Sequence, residues 1–278
     1  MDIGIITLLI IVANLIFSYK GFTSRPFFER YKFEVDRVLV DKEYKRLVSS
    51  GFLHVGWLHL LFNLFTLYAF GSSLEFYVGK LQYALIYFTA LIGGNLFSLV
   101  IHRQHGDYST VGASGAICGV IFASIALFPG LEIGFFGLPV SIPSWLFGLA
   151  FILFSIYGIR SKKDNIGHDA HLGGALLGLT LAIVLQPSAL SENYLPILVI
   201  AVPAIFFIYM IITRPQLLLI DNYFFKAHKD FYSIDHKYNA EKVNKQKEID
   251  RILEKIHTKG IGSLTTKEKQ ILKQHSQT

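Results

Sequence analysis

Gly112-Ala113-Ser114-Gly115 stands near the start of an apolar run that extends to Leu131. A G-x-S-G tetrapeptide is common by chance and says little alone. Two other stretches in apolar surroundings carry histidines: His54-Val-Gly-Trp-Leu-His59-Leu-Leu-Phe-Asn63 and Ala170-His171-Leu-Gly-Gly174. A serine becomes a nucleophile only when a base takes its proton, so the three stretches together point to serine chemistry inside apolar segments.

The composition predicts a polytopic membrane protein. The 278 residues are 52% hydrophobic, with a mean hydropathy of +0.45. A helix needs about 20 apolar residues to cross the hydrocarbon core. Seven windows without Asp, Glu, Lys or Arg predict seven spans: 3–19, 47–74, 81–101, 108–131, 133–159, 170–191 and 193–213. The first is short, but it has neither the basic flank nor the cleavage pattern of a signal peptide, so we interpret it as a span.

Two charged segments flank these windows. Residues 20–46 hold eight basic and five acidic residues among several aromatics, which predicts an amphipathic segment in the membrane interface; a solvated loop is the alternative. Residues 214–278 hold 13 Lys/Arg against 8 Asp/Glu. We interpret this tail as a small soluble helical hairpin that meets lipid headgroups rather than nucleic acid, with its partner open. The single Cys118 excludes an internal disulfide.

Polar side chains inside spans are costly, so His59 and Asn63 are candidates for function. They are four residues apart and share one helix face. The alternative is a hydrogen-bonded pair that joins two spans. Ser114 is expected at a helix N-terminus, where free N–H groups and the helix dipole face negative charge.

Small residues predict a close helix pair that carries the serine and a histidine. Gly112 and Gly115 flank Ser114, and we expect both to let another helix approach. Gly174 and Gly178 form a G-x-x-x-G face behind His171. Two such faces indicate a contact between Ser114 and His171, with simple close packing as the alternative.

The residue types indicate acyl transfer by a dyad. His171 would take the proton of Ser114 and return it to the leaving amine. His59, Asn63 and the Ser114 backbone N–H would stabilise the oxyanion. Asp169, two residues before His171, is expected to point away on a helix, so no triad is predicted. His168 and His171 are three apart, but H-E-x-x-H and a cysteine cluster are missing, so we expect no metal site.

These residues resemble the rhomboid family of intramembrane serine proteases. The matching features are His54-x4-His59-x3-Asn63, Gly112-Ala-Ser114-Gly115 and Ala170-His171-x2-Gly174, in the family's order. The resemblance implies a six-helix core, a Ser114/His171 dyad, oxyanion contacts from His59 and Asn63, no cofactor, and membrane-anchored protein substrates cut in or near their transmembrane segment.

The resemblance also sets domain boundaries and two further positions. It covers about residues 42–186 of a membrane domain 1–213, with an added seventh span at 193–213, and excludes the tail.

Arg46 matches the arginine of the family's Trp-Arg pair, and Glu75 matches a structural glutamate of the family. Lys45 replaces the usual tryptophan. Cys118 stands where an aromatic ring often stacks on the catalytic histidine, so we expect a looser His171.

Location and activity each leave alternatives. We expect an integral protein of a bacterial-type cell membrane. With seven spans, every Lys and Arg but Lys80 lies on the side of Ser114, which the positive-inside rule makes cytoplasmic. Rhomboid proteases typically open this end to the outside, so both orientations stay open.

The alternatives to an active endopeptidase are a catalytically silent rhomboid-like protein that binds or escorts membrane clients, and a transporter with a histidine proton relay.

Overall fold

The chain divides into two units, Met1–Phe224 and Phe225–Thr278. A computed structural model describes residues 3–128, 130–134, 141–161 and 166–213, and further on only Ile252, Lys255 and Thr265. The predicted helical hairpin of the tail therefore lies outside the described residues, except that Ile252 and Lys255 are helical. Every candidate membrane helix among the described residues belongs to the first unit.

Helices dominate this unit. They are α1 (Ile5–Thr23), α2 (Arg25–Tyr31), α3 (Val35–Leu39), α4 (Arg46–Ser49) with a 3-10 turn (Ser50–Phe52), α5 (Trp57–Val78), α6 (Lys80–His102), α7 (Ser114–Leu127), α8 (Ser144–Ser161), α9 (His168–Leu185), α10 (Ala189–Glu192) and α11 (Tyr194–Thr213). In the described part, α1, α6, α9 and α11 are long and apolar enough to cross a membrane. The segments Arg46–Phe52 and Trp57–Val78 make a fifth if their bent pair is one span, and α7 and α8 are shorter apolar helices. The protein is an integral multi-pass membrane protein.

Three predicted windows differ from the helices they contain. The window 47–74 is broken by a bend of 96° between Phe52 and Trp57, and Gly56 is extended there. The window 133–159 starts with a short hairpin, β3 (Glu132–Gly134) and β4 (Ser141–Pro143). The window 108–131 holds a helix of only 14 residues, about 21 Å long. A charge-free window therefore identifies an apolar stretch of the chain, but it does not identify the residue where the helix begins.

Hydrogen bonds of polar side chains show which helix ends lie at the same end of the bundle. The carboxylate of Glu75, near the end of α5, accepts hydrogen bonds from the backbone N–H groups of Ile6 (3.0 Å) and Thr7 (2.8 Å) at the start of α1. Asn193, just before α11, donates to the carbonyl of Ile125 (2.5 Å) near the end of α7. These side chains bond backbone groups that helix ends leave unsatisfied. The N-termini of α7 and α9 lie together at the opposite end of the bundle.

The helix α7 is the centre of the bundle. Every residue from Gly115 to Leu127 is buried, which explains why its sequence is apolar on all sides. A side chain at Gly174 would collide with the carbonyl oxygen of Gly115, and one at Gly178 with the backbone of Gly119. The predicted close pair of helices is therefore α7 and α9, whose glycines bring the two backbones into contact.

The interface segment predicted at 20–46 is folded. The helix α1 extends to Thr23, and α2, α3 and the strand β1 (Phe33–Glu34) follow. The strand pairs antiparallel with β2 (Ser109–Thr110), in the loop between α6 and α7. This pairing attaches the segment to the loop that leads into Ser114.

Candidate active site

Ser114 and His171 meet at the end of the bundle where their helices begin. The Ser114 Oγ lies 2.6 Å from Nε2 of His171, a hydrogen bond between side chains. Ser114 is the first residue of α7, and His171 lies in the first turn of α9. Since the first N–H groups of a helix have no partner within it, the start of α7 presents donors and a positive dipole end beside the serine.

His59 reaches the same place from α5. A Cβ built on Gly112 would lie 2.9 Å from Cε1 and 3.1 Å from Nε2 of His59, and 3.5 Å from the Ser114 Oγ. The imidazole, the Gly112 backbone and the serine oxygen therefore line one small space. This geometry suits a donor that faces charge forming next to Ser114.

Gly112 faces a different helix from the one expected. We expected it, with Gly115, to make room for the helix that carries His171. Gly115 does so, because a Cβ there would lie 3.3 Å from the carbonyl oxygen of Ala170. Gly112 instead lies against His59 of α5, and its φ of +134° is one that other residues rarely adopt,. Its N–H bonds the carbonyl of Ser50 at 3.0 Å.

Asn63 lies one turn after His59 and is buried, 7% exposed. Its Nδ2 donates to the carbonyl of His59 at 3.1 Å. An amide nitrogen carries two N–H donors, so this bond orients the side chain and leaves a second donor for a bound group. His59 and Asn63 share one helix face, as predicted from their spacing.

His54 packs against the ring of His59. It is fully buried, and its ring meets that of His59 edge-on, with centroids 4.8 Å apart. Its Nδ1 lies 2.8 Å from the Ser18 Oγ on α1, and that hydroxyl donates to the carbonyl of Phe52. A contact from α1 therefore reaches His59 through one intervening histidine.

Two family models match parts of the chain. The model of the Rhomboid domain matches residues 41–188. The chain belongs to the rhomboid family. A second model, of a family of unknown function (DUF6576), matches residues 232–278.

Three of the relatives that the chain resembles come from a yeast and a plant. The chain is 31% identical over 178 residues to Rhomboid protein 1, mitochondrial, of Saccharomyces cerevisiae, covering 60% of this chain and 51% of the relative. It is 29% identical over 195 residues to RHOMBOID-like protein 6, mitochondrial, of Arabidopsis thaliana, covering 66% and 61%. Rhomboid-like protein 11, chloroplastic, from the same plant is 32% identical over 158 residues, covering 53% and 55%. The chain thus spans between half and two thirds of these relatives.

Arg46 and Glu75, the two support positions taken from the rhomboid resemblance, are both buried. Arg46 is 5% exposed and Glu75 3%. NH1 of Arg46 donates to the carbonyls of Glu29 (2.8 Å) and Lys32 (2.7 Å), so it holds the interface segment. A hydrogen bond from Arg46 also lowers the pKa of the Glu43 carboxyl.

The two departures from the rhomboid pattern lie in different surroundings. The side chain of Lys45 is 48% exposed and its amine lies 3.6 Å from Glu43, so it replaces a tryptophan at the surface. Cys118 is buried. We expected a loose His171 because residue 118 has no ring, but Phe151 of α8 lies against His171, with ring centroids 6.0 Å apart.

Asp169 is bonded to groups at the end of α6. Its carboxylate accepts a hydrogen bond from the Tyr108 hydroxyl at 3.1 Å, and Oδ2 lies 3.3 Å from Nε2 of His102. The Tyr108 ring stacks on His102 with centroids 3.5 Å apart. Asp169 thus connects α9 to α6 and to the loop before Ser114. Its partners are Tyr108 and His102, and it was expected to point away from His171.

Among the residues that the structure describes, no group of three or more His, Cys, Asp and Glu side chains could hold a metal ion. The ring of His168 packs against Phe154, with centroids 5.0 Å apart.

Sequence reasoning missed Ser18, Asn95 and Phe151. Asn95 of α6 donates to the carbonyl of Leu47 (2.8 Å) and to the Ser50 hydroxyl (3.1 Å), and so holds the turn whose carbonyl bonds Gly112. Ser18 and Asn95 are polar residues in apolar windows, the signal that identified His59 and Asn63. Phe151 gives no such signal among the many aromatics of this chain.

Proposed function

We propose that this rhomboid protein is an intramembrane serine endopeptidase that cleaves membrane-anchored proteins in or near their transmembrane segment. The 2.6 Å contact between the Ser114 Oγ and His171 Nε2 carries the proposal. It joins a partly buried serine and a partly buried histidine within a bundle of apolar helices, a pairing that serves little purpose for packing alone.

The proposed reaction has two halves. The Ser114 Oγ attacks the scissile carbonyl carbon while His171 Nε2 takes the hydroxyl proton, and the carbonyl oxygen becomes an oxyanion. His171 then protonates the leaving amine as the C–N bond breaks, which leaves an acyl-serine. Water, deprotonated by His171, attacks the ester, and the proton returns to Ser114 as the carboxyl product leaves.

The oxyanion would form next to Gly112. His59 lies against that glycine, and the Asn63 amide lies one turn further along α5. We assign both side chains as oxyanion donors, with the backbone N–H of Ser114. Donors fixed before the reaction need no reorganisation when charge develops, which is the usual source of such stabilisation.

We also propose how the chain is arranged in the bilayer. A six-helix core of α1 and α5–α9 would include residues 42–186, α11 would be a seventh span after it, and residues 214–278 would form a separate basic tail. The lipid bilayer and transmembrane substrates are the expected partners. The bacterial-type cell membrane stays a prediction, since the three relatives are named for mitochondria and chloroplasts.

The second candidate is a catalytically silent client-binding protein, which the rhomboid fold alone would equally allow. A silent protein has no chemical need for the hydrogen-bonded Ser114 and His171. A proton-relay transporter is less well supported, because Glu75 is bonded to the start of α1 and Asp169 to Tyr108.

The test is labelling of detergent-purified full-length protein with a fluorophosphonate probe, together with cleavage of a panel of model transmembrane substrates. We expect labelling and cleavage by the wild type and neither by Ser114→Ala. The exposed Ser109 gives a matched control, Ser109→Ala, which should behave as wild type. Labelling that survives in Ser114→Ala, or a wild type with neither labelling nor cleavage, would overturn the proposal.

A further inference from the structure

A row of side chains on α8 faces the start of α9. Phe147, Phe151, Phe154 and Gly158 recur at the spacing of one helix face,. Phe151 lies against His171 with ring centroids 6.0 Å apart and planes tilted by 34°. Phe154 meets His168 edge-on at 5.0 Å, and a side chain at Gly158 would collide with the His168 ring. Both histidines in the first turn of α9 therefore contact α8.

The ring of Phe151 is itself held by aromatic neighbours. Phe122 of α7, only 1% exposed, meets it edge-on with centroids 5.7 Å apart. Phe147, one turn earlier on α8, stacks on it at 6.3 Å. Such ring pairs favour defined geometries, so Phe151 has a preferred position that does not depend on His171.

A neighbouring strip of the α8 surface is packed closely as well. A Cβ built on Gly148 would lie 2.7 Å from Cδ1 of Ile200 on α11 and 3.2 Å from Cδ1 of Ile125 on α7. The absence of a side chain at Gly148 thus lets α8 approach both helices closely. This packing fixes the helix that carries Phe151.

We propose that Phe151 is the positioning residue for His171, supplying from α8 the aromatic contact that Cys118 cannot supply from α7. Cys118 is buried one turn after Ser114 on α7, and its short side chain has no ring. The imidazole must keep Nε2 on Ser114 while it accepts and returns a proton, and the Phe151 ring restricts its rotation. The inference rests on the proposed function, since it assigns His171 as the base.

The first test separates the effect of an aromatic ring at position 151 from the effect of side-chain volume there. Phe151→Ala, Phe151→Leu and Phe151→Tyr are compared with Leu153→Ala, a control on the same helix whose side chain is 52% exposed. An aromatic contact of this kind predicts a loss of kcat of about 2- to 12-fold in the Ala and Leu variants with KM little changed. Phe151→Tyr and Leu153→Ala should keep the wild-type value. A Leu variant as active as the wild type would show that Phe151 only fills space, and would overturn the proposal.

The second test restores a ring from α7. Cys118→Phe is added to Phe151→Ala, which removes one ring beside His171 and introduces another one turn after Ser114 on α7. We expect part of the lost fluorophosphonate labelling rate to return, with thermal unfolding measured to check folding. A folded double variant that stays as slow as Phe151→Ala contradicts the proposal. A wild type that never labels would instead defeat the proposed protease function, so the two failures are distinguishable.

Discussion

Ser114 and His171 are 57 positions apart in sequence, yet their side chains are joined by a hydrogen bond of 2.6 Å. Each lies in the first turn of its own helix. The glycines of α7 and α9 bring the two backbones into contact, so neither side chain has to extend far to meet the other. The close helix pair therefore sets the geometry of the candidate dyad.

His171→Ala should abolish turnover while the protein stays folded. Removing the general base of a serine protease costs about 10⁴-fold or more in kcat. Thr180→Ala, an exposed position on the same helix, is the control and should cleave normally. Cleavage of a transmembrane model substrate and thermal unfolding in detergent measure the two properties. Near wild-type cleavage by His171→Ala would identify another residue as the base.

Asn63→Ala should be milder, because His59 and the Ser114 backbone remain to hold the oxyanion. We expect kcat to fall by about 10- to 100-fold, at or below the usual loss for one oxyanion donor. Thr66→Ala, nearly one turn further along α5, is the matched control, since its hydroxyl bonds only its own helix at the Phe62 carbonyl. If folded Asn63→Ala lost as much activity as His171→Ala, Asn63 would not be one of several donors.

Arg46→Ala should release the interface segment, while its neighbour Lys45→Ala should not. The buried guanidinium bonds two carbonyls of that segment, and the loss predicts a cost of about 2–3 kcal/mol. The exposed Lys45 pair predicts about 0–1 kcal/mol. Amide hydrogen exchange across residues 25–34, with unfolding free energies, would test this. Equal effects of the two substitutions would contradict the assignment.

Glu75→Ala should destabilise the start of α1. It leaves the N–H groups of Ile6 and Thr7 without their acceptor, at a cost of about 1–3 kcal/mol. Glu75→Gln keeps one oxygen and should fall between Ala and wild type. Glu132→Ala, at an exposed position, serves as control. Thermal unfolding in detergent ranks the four proteins, and a Glu75→Ala protein as stable as the control would rule out this cap.

The positive-inside rule predicts that the Ser114 end faces the cytoplasm. Gln104 is exposed near that end, two residues after α6, and Lys80 is exposed at the opposite end of that helix. Because Cys118 is the only native cysteine and is buried, Gln104→Cys and Lys80→Cys can each be labelled selectively. We expect Lys80→Cys to react with an impermeant maleimide in intact cells and Gln104→Cys only after lysis. The reverse pattern would give the orientation typical of rhomboid proteases.

The partners that complete the site were harder to predict than its polar residues. His59, Asn63, Ser114 and His171 stand out because each is a polar group in an apolar window, where it costs free energy unless it has a use. Gly112 was predicted to face α9 and faces His59. Phe151 could not be predicted, because its contact with His171 depends on where α8 packs.

Sequence alone determined the membrane class, the apolar windows and the residue types of the candidate site, because hydropathy and residue chemistry are local properties of the chain. Tertiary structure decided where the helices begin, which histidine each glycine meets, that Glu75 caps α1 and that Phe151 reaches His171. Those outcomes depend on contacts between residues far apart in sequence. Such contacts form only after the helices have packed, and packing depends on side-chain shapes across several helices at once.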